Sequence, residues 1–494
     1  MICVSIANES RRLAMADMLT AAHQGDLVEV RLDRFDKAPD FKELLAARRK
    51  PVILTCRRGK DGGDWHGSEE ERLALLRQAI VHKADYVEIE LDVADQVRPF
   101  PGAKRVISYT NLGETPDDIA DVYNQARAKN PDVIKLTTLA RTPEEAWPLL
   151  QILARSSVPT VAVGLGKPGV MLTILGKKIG APWAYAALGR GLETYPGEPT
   201  VEDLETVYHY HSIGRTTPLI GVTGFDERAT ATAAGLNAAL AHLNLPARCW
   251  PVAVGSPGLF RKIIDAAKLA AVVVDDSHQG VALGLATELD ASAEQAHAAD
   301  LLLHKADRWR GYHTQCGAAV AALEAGLAAR APSANGLQGK IVAVVGTGNV
   351  AASLARAVQA RGAGLLIASH VRDRAQRLAQ ELGCRYIQFE ALYSTLHDVL
   401  AVCEEEHDPR GRSAAASVHP GYLRPGMAVL DLTAGLRRSP LLREAEARGC
   451  VAVVPGRLFV DQLAAQARLL TGTEVPHEVF ASALDRFFEE DASV

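Results

Sequence analysis

Short β-like runs alternate with helix-like stretches along the first part of the chain, and this alternation restricts the fold more than any other feature of the sequence. Most of the intervening stretches are rich in Ala, Leu, Glu and Arg at helical spacing, as in EEERLALLRQAIVHK. Strands that alternate with helices pair as parallel βαβ units. The β-like runs lie at 2–7, 27–33, 51–56, 86–92, 105–110, 132–138, 160–165 and 183–188. Such units, eight in roughly 210 residues, predict an α/β fold that begins with a closed (β/α)8 barrel, with an open doubly wound sheet as the alternative.

Charged residues collect towards the C-terminal ends of these runs, which is the end of a (β/α)8 barrel that carries its active site. Glu29 and Arg31 stand in the second run, and Arg57 follows the third. Residues two apart point to the same side of a strand, so Glu29 and Arg31 can both face the barrel axis. Glu90 in the fourth run and Lys135 in the sixth join them. This convergence predicts a site for an anionic, carbonyl-bearing molecule such as a small keto-acid.

Lys135 is embedded in an apolar run, in NPDVIKLTTLA. A lysine beside apolar residues usually lies on a strand edge or extends its ammonium into water. The alternative is an amine kept partly desolvated, because burial disfavours its charge, so that the uncharged form can attack a carbonyl and form a Schiff base. The neighbouring charged residues favour this second interpretation.

The composition limits the partners and the compartment. The chain has 494 residues, enough for two or three domains, and its net charge of −5 gives no electrostatic reason to bind nucleic acid or an anionic membrane. The 7 cysteines are scattered without a CxxC pair, which is typical of reduced thiols and predicts a cytoplasmic protein without a metal site. No apolar run is long enough to span a bilayer. A homo-oligomer is compatible with these features.

The strand–helix pattern starts again in the second half of the chain, after HSIGRTTP. Further along, APSANGLQGK has the composition of a linker. We therefore predict a barrel domain over 1–212, a smaller α/β domain over 213–330, a dinucleotide-binding domain over 331–472, and a C-terminal helix over 473–494 that packs back on the second domain.

A glycine turn follows the linker, in IVAVVGTGNVAASLARAV. Gly346, Gly348 and Ala351 form a G-x-G-x-x-A pattern between a predicted strand and a predicted helix, with Asn349 inside it. Such a turn lets backbone amides and a helix N-terminus approach a pyrophosphate, which predicts a Rossmann-like dinucleotide site; a tight structural turn is the alternative. The ribose-binding acid expected after the second strand is absent, and Arg372 could meet a 2′-phosphate, which favours NADP over NAD.

Several stretches of the first half occur in the order and spacing of a known family. They are VEVRLD, TCRRGKDGG, VISYTN, DVIKLTT and TYPGEPTVEDL. On these stretches, residues 1–205 resemble type I 3-dehydroquinate dehydratase, a (β/α)8 enzyme that uses a lysine Schiff base to eliminate water from 3-dehydroquinate. The resemblance implies that Lys135 is the Schiff-base lysine and that Glu29, Arg31 and Arg57 line the substrate pocket.

Three positions depart from that family. Thr110 stands where the family has the histidine that moves the proton, and a threonine hydroxyl does not titrate near neutral pH. Leu172 and Thr173 replace a Ser-Arg pair whose arginine holds the substrate carboxylate. Glu198 replaces a glutamine, and we expect this acid to repel a carboxylate. These changes predict a weak or altered dehydratase.

The second half, about 219–490, resembles shikimate dehydrogenase. The stretch GVTGFDERATATAAGLNAAL lies over the substrate-binding region of that family, GYHTQCGA matches GxNTDxxG, and GRLFVDQLAAQARLLTG matches the closing helix. The resemblance implies that Thr230, Thr232, Asn237 and Gln462 contact a shikimate-like metabolite. Fusion of the two halves resembles the bifunctional dehydroquinate dehydratase–shikimate dehydrogenase proteins.

The catalytic lysine and aspartate of that second family are absent. Gln279 and Gln315 stand at their positions, and glutamine forms hydrogen bonds but carries no titrating proton. Glu404 begins a run of three acids where the family has a small neutral turn, and HDPRGRSAAASVHPGY (407–422) then predicts a long loop. Hydride transfer in this half is therefore expected to be weak or lost.

Three functional hypotheses follow. The first is a shikimate-pathway enzyme of fused ancestry, with one or both activities altered or lost. The second is a non-catalytic protein that binds a pathway metabolite or holds neighbouring enzymes. The third is a barrel that performs a different Schiff-base reaction through Lys135.

Overall fold

A computed structural model describes residues 1–330, 336–404, 418–433 and 435–488. The chain divides into two compact units, one made of Met1–Leu219 with Trp250–Lys268 and the other of Ile220–Cys249 with Leu269–Val494. The domain boundaries inferred from the sequence stay predictions. Part of the predicted linker, much of the predicted loop at 407–422 and the end of the C-terminal segment lie outside the described residues.

The first unit is built on an 8-stranded parallel sheet with the order β7-β6-β5-β4-β3-β2-β1-β8. Neighbours in sequence are neighbours in space, and β1 pairs with both β2 and β8, so the sheet curls into a nearly closed barrel rather than an open doubly wound sheet. The strands are β1 Ile2–Ile6, β2 Leu27–Arg31, β3 Val52–Thr55, β4 Tyr86–Glu90, β5 Lys104–Asn111, β6 Val133–Leu139, β7 Thr160–Leu165 and β8 Ala184–Ala186.

Helices connect these strands: α1 Arg11–Gln24, α2 Phe41–Ala46, α3 Glu69–Val81, α4 Ile119–Ala128, α5 Pro143–Arg155 and α6 Val170–Ile179. Local sequence signals fix several of their starts. Ser68 and Glu71 form a capping box at α3, in which each side chain bonds the other's backbone N–H. Thr142 caps α5, whose first residue is a proline.

The barrel interior has an apolar floor and a polar layer above it. Inward residues of the floor pack into one cluster, which includes Leu27 of β2 and Val133 of β6. Two residues further along those strands stand Glu29 and Lys135, which the same alternation turns inward. The parallel register therefore lifts the charged layer towards the C-terminal ends of the strands, as in other barrels of this type.

A second, 6-stranded mixed sheet has the order β10-β9-β11-β13-β14-β12. Its strands are β9 Leu219–Thr223, β10 Arg248–Val252, β11 Leu269–Val273, β12 Glu288–Leu289, β13 Leu301–Lys305 and β14 Arg308–Tyr312. The helices in this part of the chain are α7 Glu227–His242, α8 Pro257–Ala267, α9 Gln279–Leu285, α10 Ala291–Ala296 and α11 Gln315–Arg330. The division into units assigns α8 and most of β10 to the first unit.

A third sheet is parallel and has the order β17-β16-β15-β18-β19-β20, which is the 3-2-1-4-5-6 order of dinucleotide-binding folds. Its strands are β15 Ile341–Val345, β16 Gly364–Ser369, β17 Arg385–Gln388, β18 Val399–Val402, β19 Ala428–Asp431 and β20 Val451–Ala452. The remaining helices are α12 Asn349–Ala360, α13 Arg372–Glu381, α14 Pro440–Ala447, α15 Pro455–Thr471 and α16 His477–Phe488.

The C-terminal helix α16 packs on α7 and α15. Gly235 of α7 allows the close approach of α15, because a Cβ there would lie 2.6 Å from Leu463. The predicted α/β class, with a barrel followed by further α/β sheets of which the last is Rossmann-like, is confirmed. Among the described residues, no helix combines the length and apolarity needed to cross a membrane.

Candidate functional site

Lys135 lies inside the barrel with its side chain only 4% exposed, so it is not a surface lysine on a strand edge. Its Nζ is 3.0 Å from Glu29 Oε2 and 3.0 Å from Glu88 Oε2. The ring of Tyr185 lies 4.3 Å away, in position for a cation–π contact. Of the two interpretations that the sequence left open, a lysine at a strand edge and a desolvated amine, the structure shows a buried amine with two carboxylates beside it.

Glu29 is the centre of this charged layer. Its Oε1 accepts from Arg57 Nη2 at 2.6 Å and from Ser5 Oγ at 3.0 Å, while its Oε2 accepts from Tyr185 Oη at 2.7 Å. Burial opposes ionisation of Glu29, but the cations of Arg57 and Lys135 outweigh burial and hold the pKa of this carboxyl well below its usual range. Glu29 therefore stays ionised and links the lysine to the arginine.

Arg31 belongs to a separate pair at the rim. Its guanidinium binds both oxygens of Asp33, with contacts of 3.0 and 2.6 Å, and donates to Gly62 O at 3.1 Å. Asp33 also accepts from the backbone N of Arg57 at 3.1 Å. The structure thus brings Glu29, Arg57 and Lys135 together and gives Arg31 a structural partner beside them.

In the second unit, the two glutamines predicted at catalytic positions lie side by side and are buried. Gln279 Nε2 donates to Asp276 Oδ1 at 3.2 Å, and Gln315 Nε2 donates to Asp276 Oδ2 at 3.4 Å. The two amides also meet, with Gln279 Nε2 3.5 Å from Gln315 Oε1. Burial raises the pKa of Asp276, and Arg228 and Gln315 oppose that shift. This cluster contains a carboxyl, which the sequence did not single out, but no amine.

The residues expected to contact a shikimate-like metabolite have partners within the protein. Thr230 and Thr232 donate their hydroxyls to backbone oxygens of their own helix turn, at 3.1 and 2.8 Å. Asn237 is fully buried, and its Oδ1 accepts from Cys249 N at 2.7 Å. Gln462 Oε1 accepts from Arg228 Nη2 at 2.9 Å. Their role towards a ligand stays a prediction.

The glycine turn joins β15 to α12 as predicted, and the chain after β18 lies against it. Gly346 has φ +119°, and a Cβ there would lie 2.6 Å from Cys403 O, so only glycine fits. Gly348 N donates to Glu404 O at 3.1 Å. Asn349 is the first residue of α12, and Ala351 is buried beneath the turn. The packing of residues 403 and 404 against the turn therefore explains its glycines. The N-terminus of α12 is in addition the kind of place where backbone N–H groups bind a phosphate.

Arg372 is the exposed first residue of α13, just after β16. That position is suited to a charged group at the edge of a dinucleotide site. Of the three predicted acids, Glu404 is described, and the other two lie outside the described residues. No three His, Cys, Asp or Glu side chains are grouped to hold a metal ion within the described ranges.

Comparison with known proteins assigns the first half to a family. The family described as Type I 3-dehydroquinase matches residues 2–215. The 3-dehydroquinate dehydratase of Methanococcus maripaludis (strain DSM 14266) is 31% identical over 216 residues, which cover 42% of this chain and 98% of that protein. The chain belongs to the type I 3-dehydroquinase family.

The similarity of this chain to known proteins extends beyond the barrel. The chloroplastic bifunctional 3-dehydroquinate dehydratase/shikimate dehydrogenase of Arabidopsis thaliana is 26% identical over 509 residues, covering 99% of this chain and 84% of that protein. The family described as NADP oxidoreductase coenzyme F420-dependent matches residues 341–406. The solved dehydroquinate dehydratase and shikimate dehydrogenase from S. pombe AroM matches 98% of this chain and 98% of its own chain, at 17% identity and a TM-score of 0.43. The predicted resemblance to a fused pair is confirmed.

The positions at which this chain departs from the family pattern lie in the same barrel. Thr110 follows Ser108 by two residues on β5, and Ser108 pairs with Lys135 across the sheet. Thr173 of α6 lies close to the phenol of Tyr195. Glu198 is 5% exposed and accepts from Thr194 N at 2.6 Å.

Sequence reasoning missed three residues that bond the charged side chains of the barrel site: Glu88, Tyr185 and Asp33. The signal for Glu88 was present, because it alternates with Glu90 in YVEIELD and so points the same way. Glu90, which the sequence did single out, is instead held by Arg72 of α3 at 2.8 Å. Tyr185 is far from Glu29 in sequence, and only the curled sheet brings their side chains together.

Proposed function

We propose that the barrel binds a ring keto-acid of the 3-dehydroquinate class and attacks its ketone with Lys135, as a shikimate-pathway dehydratase of this family would. The observation that carries this proposal is the buried Lys135 amine, which bonds both Glu29 and Glu88. Arg57 bonds the Glu29 carboxylate as well. Buried cations with paired carboxylates inside a barrel mouth are costly unless the site uses them.

The same charges that hold the ammonium suit the iminium that replaces it. Condensation of the amine with a ketone releases water and leaves a cationic C=N bond. Glu29 is kept ionised by Arg57, so a negative charge is already in place when that cation forms. Preorganised charge of this kind stabilises a charged intermediate without reorganisation of the site.

Trapping of the imine tests the proposal. The full chain is incubated with 3-dehydroquinate or 3-dehydroshikimate and sodium borohydride, and the modified peptide is mapped by mass spectrometry. We expect one adduct, on Lys135, which disappears in Lys135→Ala. An adduct on other lysines, or none with any keto-acid offered, would refute it. An adduct without dehydration would favour the metabolite-binding hypothesis.

For the second half, we propose an NADP(H)-type dinucleotide site with little hydride transfer to or from shikimate. The glycine turn and the first turn of α12 fit a pyrophosphate, and Arg372 fits a 2′-phosphate. A bound dinucleotide would supply or accept the hydride. Gln279 and Gln315 would orient the substrate hydroxyl by hydrogen bonds but cannot move its proton.

Two measurements separate these claims. NADPH binding is measured by protection from thermal unfolding, and NADP-linked oxidation of shikimate is measured by absorbance. We expect binding with turnover at least about 10²-fold below that of a dehydrogenase with the lysine and aspartate in place, since acid–base assistance is worth about that much. Turnover at an ordinary rate would show that the glutamines do not limit this site.

A further inference from the structure

Glu198 lies at the C-terminal mouth of the barrel, above β8. The backbone of the next residue accepts from Ala187 N at 2.9 Å, and Val201 N donates to Ala187 O at 3.0 Å. These bonds tie residues 199–201 to the end of the strand that carries Tyr185. Gly197 lies against Val170 and Gly166 of the segment after β7. Glu198 is therefore fixed where the active sites of such barrels lie.

The two oxygens of Glu198 have different surroundings. Oε2 accepts from Thr194 N at 2.6 Å and from Thr194 Oγ1 at 2.9 Å. Oε1 is buried and has no hydrogen-bond partner. A buried polar atom without a partner is costly unless a ligand or a proton acceptor completes it. Glu198 thus presents one open carboxyl oxygen in a desolvated mouth.

The groups that act on Glu198 belong to the same interior as Lys135. Burial raises the pKa of Glu198 to about 7, and the charges of Glu29 and Glu193 add to that effect. The buried thiol of Cys3 on β1 is within electrostatic reach of Glu29, Lys135 and Glu198 together. The phenol of Tyr195 is also within electrostatic reach of Glu198 and Glu29.

This environment corrects one expectation from the sequence. An acid at position 198 was expected to repel a substrate carboxylate. Because burial raises the pKa of Glu198 to about 7, a large share of the molecules carry a neutral carboxylic acid there at neutral pH. A group that titrates near the working pH is also the most effective general acid–base.

We propose that Glu198 moves the proton in this dehydroquinase, in place of the family's histidine at the position of Thr110. The inference rests on the proposed function. Lys135 and the ketone form the iminium with loss of water. The Glu198 carboxylate takes a proton from the carbon beside the iminium, and the electron pair forms an enamine. The enamine re-forms the C=N bond and expels the hydroxyl group from the next carbon. That oxygen takes the proton from Glu198 and leaves as water, and hydrolysis frees the amine.

Deuterium exchange isolates the proton transfer from the rest of the cycle. The full chain is incubated with 3-dehydroquinate in D2O, and exchange at the carbon beside the ketone is followed by NMR alongside dehydration. We expect Glu198→Gln to slow both by about 10²–10⁴-fold, and to remove the inflection near pH 7 from the pH–rate profile. Borohydride trapping at Lys135 should be unchanged in that variant.

The matched control is Glu70→Gln, which makes the same change at an exposed position of α3 and should alter the rates less than about twofold. Adding Thr110→His to Glu198→Gln should restore at least about tenfold of the lost rate, because imidazole then titrates near neutral pH. Wild-type rates in Glu198→Gln, with trapping intact, would overturn the role of Glu198 alone. Absence of trapping in the wild-type chain would overturn the proposed function and this inference with it.

Thermal unfolding provides a second readout that does not need a substrate. The pKa of Glu198 in the folded chain is raised above its ordinary 4.5, so the stability it contributes is present at low pH and is lost as pH rises towards 7. We expect Glu198→Gln to raise Tm relative to wild type at pH 8 and to have a smaller effect at pH 5. An equal difference at both values would show that Glu198 is not an acid of raised pKa, and would overturn the proposal.

Discussion

The barrel mouth and the glutamine cluster of the second unit are two sites with substituted residues, but they differ in the charges that remain. In the barrel, Lys135 keeps a cation between Glu29 and Glu88, and every one of these groups is buried. In the second unit, Gln279 and Gln315 surround Asp276 with neutral amides. One site keeps a nucleophile, and the other keeps hydrogen bonds alone.

The difference shows that substitutions at positions characteristic of a family can leave a reactive group in one site and remove it from another. A buried ion-paired lysine contributes little to stability that an apolar side chain could not, so its presence points to chemistry. The buried glutamine pair bonds Asp276 and meets itself once at 3.5 Å, offers no nucleophile, and leaves Gln279 Oε1 without a hydrogen-bond partner among the described residues. In both sites burial raises the pKa of a carboxyl: Glu198 is itself a substituted position of the barrel, and Asp276 bonds the two substituted glutamines.

Removal of the two central side chains should give the largest contrast between the sites. Lys135→Met keeps the length of the side chain but removes the amine, so we expect loss of the borohydride adduct and a fall in dehydration of more than about 10³-fold, since covalent catalysis is lost. Gln279→Met should change dehydration less than about twofold. Comparable losses in both variants, measured by steady-state kinetics, would mean that the variants act through general unfolding.

Restoring the lysine and aspartate of the second family should give the second unit a titrating acid–base pair. Gln279→Lys combined with Gln315→Asp reintroduces a titrating pair, and we expect NADP-linked oxidation of shikimate to rise by about 10²-fold. Each single variant should gain much less, because a lone buried charge shifts its pKa or disrupts the site. An unchanged rate with NADPH binding intact would show that other residues limit this site.

Gly346→Ala tests whether the glycine turn is needed by the fold as well as by a cofactor. With φ +119° and a Cβ 2.6 Å from Cys403 O, we expect a loss of about 2–4 kcal/mol in the free energy of unfolding, without any dinucleotide present. Gly317→Ala in α11 has open space and should be neutral or stabilising by up to about 1 kcal/mol. Denaturant titration checks both, and equal midpoints would contradict the close approach at the turn.

Arg372→Ala should produce the smallest effect. If Arg372 meets a 2′-phosphate, affinity for NADPH should fall about tenfold, which corresponds to roughly 1.4 kcal/mol, while affinity for NADH stays constant. Arg377→Ala, one turn along the same helix, is the control and should leave both affinities unchanged. Equal losses for the two cofactors, measured by calorimetry, would exclude recognition of the phosphate by Arg372.

Single residues with unusual local requirements could be predicted from the sequence, whereas the partners of buried charges could not. Lys135 could be recognised because charged residues collect at the same strand ends and the surrounding stretches resemble a known family, and the glycine turn because only glycine tolerates its backbone angles. Arg31 illustrates the limit, since alternation placed it beside Glu29 but could not reveal its bidentate pair with Asp33. Partners of buried charges come from distant segments, and strand periodicity carries no information on them.

The sequence by itself determined the order of strands and helices, the inward face of each strand, and the position of the amine in the sixth strand. These follow from local periodicity and from backbone constraints that act over a few residues. Only the tertiary structure decided that Lys135 bonds Glu88 rather than Glu90. It also decided that Glu198 is buried, which raises the pKa of its carboxyl to about 7. Burial and long-range charge set those properties, and both arise when the strands curl and bring distant residues into one interior.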